Sequence, residues 1–152
     1  MNRTEKSEFI IGNISLLANK LNQIGDVIFP DITFKQWFLL IMISKMEKDE
    51  KNVNNIAEFV GTTRQNVKKM LVSLEAKNYV IIIKSQQDAR ALKVQLTEKA
   101  YKYFRDNEAM AANETSNLFD VFTNEEIDDF VSKLQKLSQN LAIFHERKTK
   151  DE

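Results

Sequence analysis

The 152-residue sequence has no cysteine, so it can form no disulfide, thiolate metal site, thiol nucleophile or thiol-based oxidant sensor. A single histidine gives little support to zinc, iron or general-base chemistry. Three glycines and one proline are too few for a tightly turned all-β fold or a glycine-rich phosphate loop. These shortages predict a mostly helical chain without a metal or cofactor.

Long apolar runs are also missing. The longest, Trp37 to Ile43, is far shorter than the roughly 20 residues that span a bilayer, and the charged first residues lack the apolar core of a secretory signal. We therefore expect a cytoplasmic protein. Its length predicts one structural domain, organised as an N-terminal helix (1–30), a central lobe (31–99) and C-terminal helices (100–152).

The formal net charge of zero conceals an uneven distribution. Residues 61–105 hold ten basic and three acidic side chains, a net charge of +7, which leaves −7 on the rest of the chain. Lysines that solvate helix faces would give the same count, so charge alone does not identify a partner. A basic middle between acidic flanks nevertheless indicates that this segment meets a polyanion.

Two helices are predicted before the basic segment. The first runs from about Glu8 to Phe29, because apolar residues recur in it at steps of three and four. These residues are Ile10, Ile14, Leu17, Leu21, Ile24 and Ile28. The second begins at a capping box, Thr33 to Gln36, and its apolar stretch Trp37–Ile43 is expected at the centre of the core.

The basic segment opens with a helix-turn-helix pattern. Asn52 can cap a short helix that ends at Gly61. Thr62-Thr63-Arg64-Gln65 then forms a second capping box. The helix that follows is predicted to end near Asn78, a residue that tolerates the left-handed conformation found just after a helix. Its inward side chains are Val67, Met70, Leu71 and Leu74. Two short helices joined by a glycine-containing turn are typical of DNA-binding proteins.

A β-hairpin and two further helices follow. Val80–Ile83 is a β-branched run, and Leu92–Leu96 alternates apolar and polar residues, so the two are expected to pair. Thr97 caps a helix that extends to about Leu118. A third capping box, Thr123 to Glu126, begins the last helix, which is predicted to fray from Glu146 to Glu152. Its apolar stripe consists of Ile127, Phe130, Leu134, Leu137, Leu141 and Phe144.

This element order predicts a mostly α fold with a small β-hairpin wing: a winged helix-turn-helix core flanked by N- and C-terminal dimerisation helices. The second helix of the turn unit can enter a major groove, where its polar side chains would read bases or bind phosphates. Those candidates are Arg64, Gln65, Asn66, Lys68 and Lys69. Thr62 and Thr63, with the free amides of the first turn, can hold a phosphate. A merely solvated helix face is the alternative.

The hairpin tip is a candidate minor-groove reader. An arginine can enter the narrow, negative minor groove when something holds it extended. Asp88, two residues before Arg90, could do so through a bidentate pair. The other polar residues of this wing are Lys84, Gln86 and Gln87. A plain surface ion pair between Asp88 and Arg90 is the alternative.

The motifs resemble those of the MarR (multiple antibiotic resistance regulator) family of transcription factors. Asp88-Ala89-Arg90 matches the Asp-x-Arg pattern of that family's wing, and Leu96–Ala100 is similar to its Leu-Thr-Glu-Lys-Gly, with Ala100 in place of glycine. Asn78 also stands where the family usually has glycine. The resemblance implies a homodimeric winged-helix regulator that binds DNA, often a repressor and frequently released by a small ligand.

The resemblance also suggests where an effector would bind. In similar proteins the cleft lies between the dimer helices and the DNA-binding lobe, and Phe34, Trp37 and Tyr101 are the aromatic candidates in this sequence. They would suit a small aromatic or apolar ligand, although aromatic residues at helical spacing are more often ordinary core. A constitutive regulator without an effector remains an alternative.

The terminal helices favour a homodimer independently of the resemblance. Each keeps a narrow apolar stripe suited to another helix, although the two stripes could instead pack on each other within one chain. A twofold dimer would place two recognition helices about 34 Å apart, one turn of a palindromic DNA operator.

Two other classes of function compete with this interpretation. An enzyme is not expected, because the only histidine, His145, lies near the chain end. The acidic pairs Glu125-Glu126 and Asp128-Asp129 also fall in the first turn of a helix, where the dipole favours negative charge. A winged-helix adaptor that binds another protein and never contacts DNA is the second alternative.

Overall fold

The computed structural model describes residues 1–47, 51–84 and 92–150. This part of the chain forms six α-helices and one two-stranded antiparallel sheet, which confirms the predicted fold class. The elements are α1 (Arg3–Ile28), α2 (Phe34–Lys45), α3 (Val53–Val60), α4 (Arg64–Ala76), β1 (Val80–Lys84), β2 (Leu92–Leu96), α5 (Glu98–Phe119) and α6 (Asn124–Lys150). No helix among the described residues is both long and apolar enough to cross a membrane.

The chain divides into two compact units, Met1–Asn107 and Glu108–Glu152. The first unit holds α1 to α4, the hairpin and the beginning of α5, and the second holds the remainder of α5 and α6. The segment boundaries predicted from the sequence stay a prediction.

The core of the first unit is built from the apolar faces of several elements. Its largest side chains with essentially no exposure are Tyr79, Leu39, Leu40, Ile43, Ile56, Leu71, Leu74, Val67, Val80 and Val94. Helix α2 contributes three of them, as expected for an almost wholly apolar helix. In α4 three predicted core residues, Val67, Leu71 and Leu74, are fully buried, whereas Met70 is half-buried.

Three of the predicted helix starts are confirmed in detail. Thr33 and Gln36 form the reciprocal capping box of α2, in which the Thr33 hydroxyl accepts from the Gln36 amide. Asn52 caps α3 by accepting from two backbone amides, and Gly61 ends α3 with a left-handed φ of 72°. Thr123 and Glu126 likewise form the predicted box at the start of α6.

The capping box predicted at Thr62–Gln65 is wrong by one residue. The Thr62 amide donates to Ala57 O at 2.9 Å, so Thr62 still belongs to the end of α3. Thr63 is therefore the N-cap of α4, and its hydroxyl accepts from the Asn66 amide at 3.2 Å. The one-residue shift follows from the left-handed Gly61, because this cap uses one more residue than the sequence pattern assumed.

Both ends of the chain are more helical than predicted. Helix α1 begins at Arg3 rather than Glu8, because Asn2 and Glu5 form a capping box in its wholly polar first turn. The fraying predicted from Glu146 is also wrong, since α6 continues to Lys150. Its last turns are basic, which the helix dipole favours, and the Thr149 hydroxyl donates to His145 O at 3.1 Å.

Helices α1 and α2 meet at very close range. A Cβ atom built on Gly25 would lie 2.2 Å from Cδ2 of Phe34, so only glycine permits this approach. Nearby, Asp26 Oδ1 accepts from the Phe34 amide at 2.7 Å, and the Phe29 ring stacks on Trp37 with centroids 4.4 Å apart. The carboxyl end of α1 is thus fixed to the amino end of α2.

Substitution of the two glycines of α1 by alanine should have opposite effects on stability. Gly25→Ala should lower the free energy of unfolding by about 1–3 kcal/mol, because the new methyl group overlaps Phe34. Gly12→Ala meets no atom within 4 Å and should raise it by about 0.5–1 kcal/mol through its better helix propensity. Urea unfolding followed by circular dichroism measures both, and equal effects would contradict the close packing.

The N-cap of α4 gives a second prediction. Thr63→Ala should cost about 1 kcal/mol of stability because the Asn66 amide loses its acceptor, while Thr63→Ser should retain that stability. Thr62→Ala, which removes only a side-chain contact at 3.3 Å, should cost less than Thr63→Ala. A larger loss of thermal stability for Thr62→Ala than for Thr63→Ala would contradict this assignment and favour Thr62 as the N-cap, as predicted from the sequence.

Candidate nucleic-acid interface

Helix α4 presents a polar face to solvent because its apolar face is buried in the core. Arg64, Gln65, Lys68 and Lys69 are all exposed. Helical spacing places Gln65 and Lys69 opposite the fully buried Val67, with Arg64 and Lys68 beside them. This is the placement that the sequence predicted for a recognition helix.

No described residue neutralises the basic side chains of this face. Among the described residues, Arg64, Lys68 and Lys69 form no ion pair within 4.0 Å. The acidic residue near the other end of α4, Glu75, instead accepts from the Ile82 amide at 3.0 Å. The charges on α4 are therefore available to an external anion.

The beginning of α4 gathers the predicted phosphate and base contacts. The exposed Thr63 caps the helix, and the neighbouring Thr62 is half-buried. The Asn66 side chain donates through Nδ2 to Thr62 Oγ1 at 3.3 Å. Asn66 would therefore have to give up this contact before its amide could pair with an adenine through both polar atoms.

Polar contacts to other elements set the position of α4. Gln36 of α2, which is buried, donates through Nε2 to Ser73 Oγ of α4 at 2.9 Å. Beyond the helix, Asn78 takes the predicted left-handed conformation with φ 60°, and the Tyr79 amide donates to Leu74 O at 2.9 Å. The contact between Gln36 and Ser73 could not be predicted, because residues 37 positions apart leave no local pattern.

The base of the wing is described, and its tip is not. Strands β1 and β2 pair in register from Val80 with Leu96 to Lys84 with Leu92. The other edge of β2 also pairs, since the Val94 amide donates to Lys51 O at 2.7 Å. The predicted wing residues Gln86, Gln87, Asp88 and Arg90, and the side chain of Lys84, lie outside the described residues.

The predicted ligand residues fall into two places. Phe34 and Trp37 of α2 lie together, with ring centroids 5.4 Å apart, and both are half-buried. Tyr101 of α5 is exposed, and its ring meets Phe104 edge-on at 6.3 Å. The sequence analysis did not single out Phe29, which completes the cluster of Phe34 and Trp37.

A cavity of about 380 Å³ opens beside α4. Its apolar wall includes Phe34 and Phe38, and its polar wall includes Thr62, Asn66 and Lys69. It thus shares one predicted ligand residue and three predicted DNA contacts. In the described part of the chain no group of three or more histidine, aspartate or glutamate side chains is arranged to hold a metal ion.

Known proteins share both the sequence pattern and the fold. The family model described as "MarR family" matches residues 31–91. The HTH-type transcriptional regulator SarZ of Staphylococcus epidermidis is 33% identical over 98 residues, which cover 62% of this chain and 64% of SarZ. The match therefore spans a little less than two thirds of that relative.

Solved structures agree over almost the whole length. A MarR transcriptional regulator from Methanosarcina mazei has a TM-score of 0.79 at 23% identity, covering 90% of this chain and 99% of that one. MepR of S. aureus, solved as a complex with DNA, has a TM-score of 0.75 at 22% identity, covering 84% and 94%. This chain therefore has the winged helix-turn-helix fold of these solved regulators, and its residues 31–91 are similar to the MarR family.

Proposed function

We propose that this protein is a sequence-specific transcriptional regulator that binds double-stranded DNA, with α4 in the major groove. The observation that carries the proposal is the exposed face of α4, whose arginine and two lysines have no partner among the described residues. A major groove admits one α-helix. SarZ is named a transcriptional regulator and MepR was solved with DNA, which supports the same role here, and neither fact suggests an enzyme.

The side chains of the interface divide by chemistry. Gln65 and Asn66 suit adenine, while Arg64, Lys68 and Lys69 suit guanine or phosphate. Thr62 and Thr63 lie at the helix start, where the amides and the dipole attract a phosphate. In the wing, Arg90 would enter the minor groove of the DNA, held by Asp88, with Lys84, Gln86 and Gln87 beside it at the same groove.

Homodimerisation supplies the second half of the interface. Both terminal helices expose their apolar stripes: in α1 Ile10 is 51% exposed, and in α6 Leu141 is 62% exposed. Contiguous apolar surfaces of this kind mark interaction sites. A second copy of the chain is the partner that suits a palindromic operator, since a twofold axis repeats the recognition helix.

In this proposal the protein represses transcription, and a small aromatic or apolar ligand relieves the repression. The cavity beside α4 supports it, because Thr62, Asn66 and Lys69 face both that cavity and the predicted DNA surface. A ligand held there would compete with DNA for the same side chains. It shifts the equilibrium only by the difference in its affinity for the free and DNA-bound states.

Salt titration separates a DNA-binding regulator from a protein adaptor. For the wild type, the logarithm of the binding constant for duplex DNA should fall linearly with the logarithm of salt concentration. Lys69→Ala should weaken binding and reduce the steepness of that line by about one unit. Fluorescence anisotropy with a labelled duplex measures both quantities.

The matched control is Lys136→Ala, which removes a lysine from α6, where no DNA contact is predicted. It should leave the slope unchanged. Salt-independent binding by the wild type, or equal slopes for the wild type and Lys69→Ala, would favour the adaptor.

The dimer prediction concerns the stripe of α6. Leu137→Asp should shift the chain from dimer to monomer, because an unpaired carboxylate would be buried in the interface. Gln135→Asp introduces the same charge outside the stripe and should leave the dimer intact. Sedimentation equilibrium gives the mass of each variant, and a dimer that tolerates Leu137→Asp would exclude this stripe as the contact.

A further inference from the structure

The turn between α1 and α2 is tied to residues far along the chain. Tyr79, just beyond α4, donates its hydroxyl hydrogen bond to Asp31 Oδ2 at 3.0 Å. Tyr103 of α5 donates to Pro30 O at 2.6 Å, and the Lys77 ammonium donates to Asp31 O. We call these five residues, Pro30, Asp31, Lys77, Tyr79 and Tyr103, the junction cluster.

The backbone of the turn is arranged for these contacts. Asp31 has a φ of 74°, a left-handed conformation that is uncommon outside glycine but that aspartate and asparagine tolerate. In this conformation its carboxylate and its carbonyl oxygen are both engaged by side chains of the α4 end.

The tyrosines of the cluster are buried donors. Tyr79 is 1% exposed and Tyr103 is 8% exposed, and their rings meet edge-on with centroids 5.4 Å apart. Burial raises the pKa of Tyr103 to about 12 and also raises that of Tyr79, to which the Asp31 hydrogen bond adds. Both phenols therefore remain protonated at neutral pH. Next to the cluster, the Lys99 ammonium lies over the Tyr79 ring, with Nζ 4.5 Å from the ring centre.

The junction cluster connects two helices to which the proposed function gives different roles, α1 and α4. The carboxyl end of α1, a proposed dimer helix, is fixed next to this turn by the close Gly25–Phe34 contact and by the hydrogen bond from the Phe34 amide to Asp26. Tyr79 is locked to α4, the proposed recognition helix, through Leu74 O. Because hydrogen bonds are directional, the cluster restrains the angle between the two helices more tightly than apolar packing alone.

We propose that Asp31, Tyr79 and Tyr103 are positioning residues for DNA binding: they fix the direction of α4 relative to α1. In a dimer held by the α1 helices, that direction sets the separation of the two recognition helices. The cluster thereby selects operators by the spacing of their half-sites while touching no base. This part of the inference rests on the proposed function.

The geometric part can be tested without DNA. Because the chain has no cysteine, Asn19→Cys in α1 and Gln65→Cys in α4 would place two spin labels at unique sites. Diluting the labelled chain with unlabelled chain makes distances within one chain dominate a pulsed double-resonance measurement. The background with all native tyrosines should give a single narrow distance distribution.

In the same labelled background, Tyr79→Phe should broaden or shift the distribution, and Tyr103→Phe should do so by a second route. Asp31→Asn keeps an acceptor and a residue that tolerates positive φ, so it should stay close to the native distribution. Ser44→Ala is the matched control, because it removes a hydroxyl that bonds only within its own helix, to Ile41 O. Native distributions for both folded tyrosine variants would overturn the proposal.

The functional part uses unlabelled chains and duplexes that the wild type selects from a random pool. Tyr79→Phe should bind the selected spacing about tenfold more weakly, the ratio equivalent to about 1.4 kcal/mol. It should also discriminate less against duplexes whose half-sites are moved by one or two base pairs, with an unchanged salt slope. Asp31→Asn should keep most of the wild-type preference.

The outcomes separate this inference from the proposed function. A folded Tyr79→Phe chain of lower melting temperature that keeps the native label distances and the native spacing preference would make the cluster ordinary core, and the inference would be wrong. A wild type that enriches no duplex would refute the proposed function, while the label distances would still decide whether the cluster sets the angle of α4.

Discussion

The burial of one face of α4 is the constraint on which the rest of the structure depends. Val67, Leu71 and Leu74 are completely buried, and truncating such side chains typically costs about 2–5 kcal/mol each. That requirement fixes the rotation of the helix about its axis. The opposite face, with Gln65 and Lys69, is consequently held in solvent. Exposure of the predicted DNA contacts is thus a consequence of core packing.

The uneven charge distribution explains why this part of the chain would attract a polyanion. A chain with no net charge has no overall attraction to a polyanion, so the attraction must come from a local surface. The segment from residue 61 to 105 carries +7 and the remainder −7. At physiological ionic strength charges are screened beyond about 8 Å, and this basic segment can therefore bind a phosphate backbone although the rest of the chain carries a net negative charge.

Features that depend on nearby residues could be predicted from the sequence. The structure contains the expected helix periodicity and paired strands. It also contains the caps at Thr33 and Asn52, the end of α3 at the left-handed Gly61, and the left-handed Asn78. The errors were local as well. The polar first turn of α1 had no apolar periodicity to reveal it, and the N-cap of α4 moved by one residue because Thr62 was already committed to the end of α3.

Long-range polar contacts could not be predicted. Asp31, Tyr79 and Tyr103 are separated by tens of residues, and no local pattern distinguishes a tyrosine that bonds a distant turn from one that merely fills the core. The same holds for Gln36 and Ser73, which join α2 to α4. Sequence reasoning therefore identified the surface of the candidate site but not the contacts that orient it.

Site-directed cleavage of DNA tests the central claim most directly. An iron chelate attached to Gln65→Cys, the only thiol in the chain, cuts the duplex wherever the exposed face of α4 lies. If two copies of α4 lie in the major groove, we expect two groups of cuts on a selected duplex, centred about 10 base pairs apart, and none from the same chelate on Gln135→Cys in α6. Even cleavage along the duplex from position 65, or cleavage from position 135 alone, would contradict that claim.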